Sequence, residues 1–212
     1  KTNVDEVMAG YPLAQVRRAD GGVFTLYRGT EHPFIHALNS VEGWALCLDL
    51  PAVNADDATA ARDWGLAASP DGGRLYAANA TLGLVEQIDP ANYEVSRQTQ
   101  VKPLAGSGIV LAKFGHEESG PTGRRVVIDP DGTTIYAAGS GGILAISAAD
   151  LSVRARFETG AAVDALAVTP DGGTVFALLA DGHIVKLDAT TGQLESTVPG
   201  DDYDRLVAVV PW

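Results

Sequence analysis

The chain has 212 residues, of which 46% are hydrophobic and 20% charged; this balance excludes wholesale disorder and suits one domain or two small ones. A formal net charge of -12 supplies no basic surface for a phosphate backbone, so neither nucleic acid nor an anionic membrane is expected as a partner. One cysteine cannot build an intrachain disulfide framework, and no apolar run approaches the roughly 18 residues of a spanning helix, so no membrane insertion is expected.

In chain order, the first element is a weak copy of a repeat, Val16-Arg17-Arg18-Ala19-Asp20-Gly21-Gly22-Val23-Phe24-Thr25-Leu26-Tyr27. Two strand-like runs follow it, Phe34 to Leu38 and Ala45 to Asp49. The repeat returns as Ala67-Ala68-Ser69-Pro70-Asp71-Gly72-Gly73-Arg74-Leu75-Tyr76, followed by the runs Leu84 to Ile88 and Val95 to Thr99. It returns again as Val127-Ile128-Asp129-Pro130-Asp131-Gly132-Thr133-Thr134-Ile135-Tyr136, with runs Ile143 to Ser147 and Val153 to Phe157. The last full copy is Ala167-Val168-Thr169-Pro170-Asp171-Gly172-Gly173-Thr174-Val175-Phe176, with runs Ile184 to Asp188 and Leu194 to Val198.

The shared Pro-Asp-Gly has a mechanical meaning. Proline presets φ at the second turn position, aspartate bonds its own backbone, and glycine takes the positive φ that follows. Flanked by β-rich runs, it predicts a hairpin. Each unit therefore reads as four short antiparallel strands. The turn aspartates Asp20, Asp71, Asp131 and Asp171 are spaced by 51, 60 and 40 residues. Four strands at a period of about 40–45 predict a β-propeller blade, and the longer spacings predict insertions near residues 51–62 and 104–123. The expected fold is all-β, a single propeller domain or partial propeller, with blades near 11–50, 64–103, 123–160 and 163–200. No segment carries a sustained helical period, so helix is expected to be scarce.

Residues 203–212 align with the first strand of the preceding unit and predict one strand of a further, closing blade. Lys1 to Pro12 are too few for the other three strands. Because blades pack face to face, an open arc would expose apolar faces. The expectation is a complement: another polypeptide, a second copy, or an N-terminal part cut away. No signal peptide is evident, and a chain that starts at Lys1 reads as processed, as tagged and trimmed, or as a fragment.

The Ser/Asp/Thr-Pro-Asp-Gly-x-x-Leu/Ile/Val-Tyr/Phe pattern resembles the bacterial WD40-like and YVTN-type β-propellers, without the Trp-Asp and Gly-His pairs of eukaryotic WD40 repeats. The stretch from Gly10-Tyr11-Pro12 to Thr25-Leu26-Tyr27, with Pro33 to Leu38 and Cys47 to Pro51, resembles the C-terminal part of propellers from high-GC Gram-positive bacteria. That resemblance implies a secreted or surface-tethered, extracytoplasmic setting. It does not imply one activity, since propellers host binding, scaffolding and several chemistries.

Candidate chemistry is sparse. His32 and His36, if on one strand, are separated by about 13 Å, too far to share an ion. Cys47 lies in an apolar run and is expected to be a small buried hydrophobe. His116, Glu117 and Glu118 lie in the long insertion, where a rigid scaffold places binding groups, and are the candidate binding residues. Asp56-Asp57 and Asp201-Asp202 lack calcium-loop spacing and read as solvated surface, so no metal and no cofactor is expected. No Gly-x-Ser-x-Gly elbow is present, and neither Gly106-Ser107-Gly108 nor Gly139-Ser140-Gly141-Gly142 completes a phosphate loop. Trp44, Trp64 and Trp212 read as blade-packing residues. The Asn79-Ala80-Thr81 sequon is taken as chance. The functional expectation is a non-enzymatic binding or scaffolding module with a protein partner or a second chain completing the ring. The alternatives are a lactonase-like or other hydrolase with its site at the central channel, and a structural component of a surface assembly.

Overall fold

The computed structural model describes residues 10–29, 32–51, 60–104, 106 and 124–200. Four separate four-stranded antiparallel sheets form, and in each the spatial order follows the chain. The first blade holds β1 (Gly10–Arg17), β2 (Gly22–Gly29), β3 (Pro33–Asn39) and β4 (Trp44–Asp49). The second holds β5 (Gly65–Ala68), β6 (Leu75–Asn79), β7 (Leu84–Asp89) and β8 (Glu94–Gln100). The third holds β9 (Val126–Ile128), β10 (Thr134–Gly139), β11 (Gly142–Ser147) and β12 (Val153–Glu158). The fourth holds β13 (Val163–Val168), β14 (Thr174–Leu179), β15 (Ile184–Asp188) and β16 (Leu194–Val198). A single 3-10 turn, Ala60–Arg62, is the helical part of the described residues.

Two turn types build every blade. Between the first and second strands, the Pro-Asp-Gly loop folds as its chemistry requires. The Gly72, Gly132 and Gly172 amides donate to the carbonyls of Ser69, Asp129 and Thr169, and the three glycines take φ of 68°, 73° and 73°. Asp71 and Asp171 accept the Gly73 and Gly173 amides and also the Ser69 and Thr169 hydroxyls, which holds their carboxyls below the usual carboxylate range. The weak first copy is tighter, closing with Arg18 N–H on Gly22 O at 2.8 Å. Between the third and fourth strands, a five-residue turn recurs. Its last residue donates to the carbonyl four positions back: Gly43 to Asn39, Tyr93 to Asp89, Leu151 to Ser147 and Gly192 to Asp188. That last position is left-handed in all four blades, with φ of 74°, 56°, 62° and 70°. This second turn has no shared motif in the sequence, because packing holds Tyr93 and Leu151 where glycine stands in the other two blades. Leu151 is fully buried, and Tyr93 stacks on Phe24 and meets Trp44 edge-on.

Alternation along the strands gives each sheet two faces, and the faces pair between blades. Leu26, Ile35 and Ala37 of the first blade pack with Leu75, Ala77 and Ile88 of the second around Trp64. Tyr76, Ala78 and Val85 of the second pack with Ile135, Leu144 and Ile146 of the third. Tyr136, Ile143 and Phe157 of the third pack with Val175, Val185 and Leu187 of the fourth. Three inter-blade cores thus join four blades in sequence. The tyrosine of the repeat adds a polar tie across two of these cores. Tyr136 Oη donates to Ala189 O at 3.0 Å, and Tyr76 Oη reaches Ala148 O at 3.5 Å, in each case in the following blade.

The expected strand runs all appear as strands, and the architecture is all-β. The segment expected to begin a closing blade, 203–212, lies outside the described residues. One expectation is corrected: Cys47 is exposed rather than buried. The reason is positional. β4 is the outermost strand, and its alternation turns Trp44, Leu46 and Leu48 inward and Ala45, Cys47 and Asp49 outward.

Candidate functional site

The direction of the strands assigns every connection to one of two faces. The Pro-Asp-Gly turns and the five-residue turns lie on one face. The second-to-third-strand turns and the inter-blade connections lie on the other. Both predicted insertions fall in inter-blade connections. The chain leaves the described blades at Pro51 and returns at Ala60; it leaves again near Gly106 and returns at Arg124. The two longest connections therefore emerge from the same face, which is termed the insertion face below.

This face is braced around the axis by Arg125. Its guanidinium lies 3.2 Å from Asp63 Oδ1 and 3.0 Å from Asp164 Oδ1, and it donates to Val163 O at 2.9 Å. Asp63 precedes β5, Arg125 precedes β9 and Asp164 belongs to β13, so one side chain joins the innermost strands of three blades. A β-bulge between Val163 and Ala165 takes Asp164 out of the ladder and aims it at the arginine. The other oxygen of Asp63 accepts Thr81 Oγ1 at 2.6 Å, and Thr81 Oγ1 accepts the Ser140 amide at 2.9 Å. Ser140 Oγ in turn accepts the Gly106 amide at 3.0 Å. The network thus ends at a backbone group where the long insertion begins. Arg156 donates to Lys102 O at 2.7 Å and fixes the segment after β8 that leads into it.

Along the axis the innermost strands border a half-open cavity of about 260 Å³. Its wall is apolar, formed by Ala68, Val127, Ile128, Ala167 and Val168 with Pro70, Pro130 and Pro170 at the turn end. Successive turns stack there: a Cβ on Gly132 would lie 3.2 Å from Pro70 Cδ, and one on Gly172 would lie 3.5 Å from Pro130 Cδ. The polar lining is Arg124, Asp129 and Thr169.

Of the residues singled out in the sequence, His116, Glu117 and Glu118 lie outside the described residues, as do Asp56-Asp57, Asp201-Asp202 and Trp212. His32 Nε2 lies 3.0 Å from Asp49 Oδ1. His36 sits opposite Cys47 across the β3–β4 ladder and edge-on to Tyr27. The His36–Cys47 juxtaposition does not make a nucleophile: partial burial, then the Asp49 charge, push the thiol up, and burial pushes the imidazole down. Trp64 is buried between blades as expected, and Trp44 caps the first blade edge, its Nε1 donating to Glu42 at 2.7 Å. Asn79 is fully buried with its amide on Ala60 O at 2.7 Å, so its sequon is closed to modification in the fold. Among the described residues, no group of three His, Cys, Asp or Glu side chains could hold an ion. No helix among them is long and apolar enough to cross a membrane.

One buried ionisable group escapes sequence reasoning. Glu86 in β7 is fully buried on the face shared with Leu84 and Ile88, which pack toward the first blade. Among the described residues neither carboxyl oxygen has a hydrogen-bond partner. Burial raises its pKa from 4.5 to about 7. The pattern Leu84-Val85-Glu86-Gln87-Ile88 reads as a strand with polar positions facing water, and nothing local reveals that both faces are covered.

No family model matches the chain. No curated protein matches it either. Among solved structures, it is similar to Kuenenia stuttgartiensis hydrazine synthase, with 19% identity and a TM-score of 0.65 over 92% of this chain and 51% of that one. The chain therefore spans about half the length of that protein. The likeness extends to 1110 solved chains, so it identifies an architecture and not an activity. That architecture is the β-propeller.

Proposed function

We propose that the chain is a non-enzymatic binding or scaffolding module of the WD40-like, YVTN-type bacterial propellers, acting outside the cytoplasm. Its protein partner docks on the insertion face. The observation that carries this reading is that the described ends of both insertions, at Pro51 and Ala60 and at Gly106 and Arg124, lie on the one face that Arg125 locks to Asp63 and Asp164. A rigid scaffold that presents long connections is the arrangement by which repeat folds bind partners. The candidate contacts are His116, Glu117 and Glu118 in the longer insertion. A second chain that completes the ring is the other partner of this reading, and it packs against an open blade face instead.

The test is native mass spectrometry of the untreated preparation, compared with a variant carrying His116→Ala, Glu117→Ala and Glu118→Ala. The expected result is a second polypeptide accompanying the wild-type chain and lost from the variant, with an unchanged melting temperature. A 22.0 kDa species alone in both preparations would remove the partner from the account. Retention of the second polypeptide by the variant would move its site away from these residues.

A further inference from the structure

We propose that the axial cavity is a binding site for a small organic monocarboxylate, held by Arg124. The cavity is bounded by β5, β9 and β13, the innermost strands of three blades. Among the described residues each of these strands is paired in a ladder on one edge, to β6, β10 and β14. Their other edges face the axis; there the Leu166 amide is taken by Arg124 O at 2.7 Å. The side chains between them are alanine, valine, isoleucine and proline, a surface suited to an apolar body.

The polar groups of the lining differ in what they have left to offer. The Asp129 carboxylate accepts both the Thr133 amide at 2.7 Å and the Thr133 hydroxyl at 3.1 Å. The Thr169 hydroxyl donates to Asp171 at 2.5 Å and accepts the Thr174 amide at 3.0 Å. Both are engaged in their own turns. Arg125 is engaged by Asp63, Asp164 and Val163 O. Arg124 engages only its backbone carbonyl, which accepts the Leu166 amide at 2.7 Å. Its guanidinium has no ion pair or hydrogen bond among the described residues, although 27 acidic side chains outnumber 15 basic ones in the sequence. A guanidinium with no partner among the described residues, beside an apolar wall in so acidic a chain, selects for an anion with an apolar part.

The charge and size narrow the class. One guanidinium forks onto one carboxylate, whereas a phosphate dianion calls for a second cation that the lining lacks. A volume of about 260 Å³ lies below the roughly 300–1,000 Å³ of pockets for drug-sized ligands, so the molecule is smaller than those. Arg124 and Asp129 lie at opposite ends of β9, five residues apart, or about 16 Å along an extended strand. The carboxylate would sit at the arginine end and the apolar body against Val127, Ala167 and Val168.

The test is an amide-resolved NMR titration of the 212-residue chain with three probes: benzoate, its neutral counterpart benzamide, and inorganic phosphate. Saturable benzoate shifts are expected at the amides of 124–129 and 166–169, with a dissociation constant of about 1 mM. Benzamide and phosphate should each bind at least about tenfold more weakly. Arg124→Ala should abolish the benzoate shifts and Arg124→Lys should retain part of them. Arg124 is exposed, so both variants should fold as the wild type does. Benzoate shifts that survive Arg124→Ala would overturn the proposal. So would shifts confined to other amides, equal binding of benzamide, or no saturation by benzoate up to about 20 mM, which is many times the expected constant.

Discussion

Replacing Glu86 should make the protein more stable at neutral pH, and the effect should vanish in acid. The folded-state carboxyl titrates near pH 7 and the unfolded one near 4.5. A raised carboxyl pKa means the folded state holds the proton more tightly. Stability is therefore complete below pH 4.5, declines from there to about 7, and stays low above. At about 1.4 kcal/mol for each tenfold change, ionising Glu86 in place destabilises the fold by at most about 3 kcal/mol, and water entry reduces this to about 1–3. For a domain of this size that is roughly 2–10 °C in melting temperature. Glu86→Gln and Glu86→Leu should each melt higher than wild type at pH 8 by that amount, with the gain gone by pH 4. The assay is differential scanning calorimetry across that range. A Glu86→Gln variant that tracks the wild-type curve at a constant offset would refute the buried, unpartnered carboxyl. A variant less stable at pH 8 would show that the carboxylate is charged and paired.

Further outcomes follow from other contacts. The turn aspartates Asp71, Asp171 and Asp150, the last held down to about 2, have folded pKa values below their unfolded ones. Their contribution is present above about pH 4 and is lost on acidification; with Glu86 acting in the opposite sense, the melting temperature should peak near pH 4–5. Tyr136→Phe removes the hydroxyl on Ala189 O between the third and fourth blades and should lower stability by about 1 kcal/mol; Tyr76→Phe, with its longer contact, should lower it less. Arg125→Ala removes the guanidinium 3.2 Å from the buried Asp63 and should lower stability by about 2 kcal/mol, whereas Asp164→Asn, at a more exposed carboxylate, should lower it by under about 1; denaturant midpoints measure both. Cys47 should react with a disulfide reagent in the native protein, at one equivalent per chain, at a rate still rising above pH 9 because burial and Asp49 hold the thiol protonated.

The local chemistry of the turns made most of the fold legible. Pro70-Asp71-Gly72, Pro130-Asp131-Gly132 and Pro170-Asp171-Gly172 each encode a complete hydrogen-bonded turn, so three copies fix a period and the period fixes the blades. The repeated tyrosine was visible as a motif, but its use was not, since Ala189 lies 53 residues beyond Tyr136. The Arg125 brace was invisible for the same reason: Asp63 and Asp164 belong to other blades and share no local pattern with it. Cys47 was misread because an apolar run in an outermost strand looks like a run in a covered one. Burial there depends on which face the next blade meets, and only Trp44, Leu46 and Leu48 turn that way. Glu86 is the converse case, a polar residue in a strand whose both faces are covered.

The central claim is that partners dock on the insertion face. It is tested most directly by photo-cross-linking from the two faces in the native setting. A cross-linking phenylalanine analogue at the exposed position 102 stands beside the long insertion, and one at the exposed position 190 stands in a turn on the opposite face. The account predicts a discrete adduct with one protein from position 102 and none from position 190. An adduct from position 190 alone, or none from position 102, would contradict it.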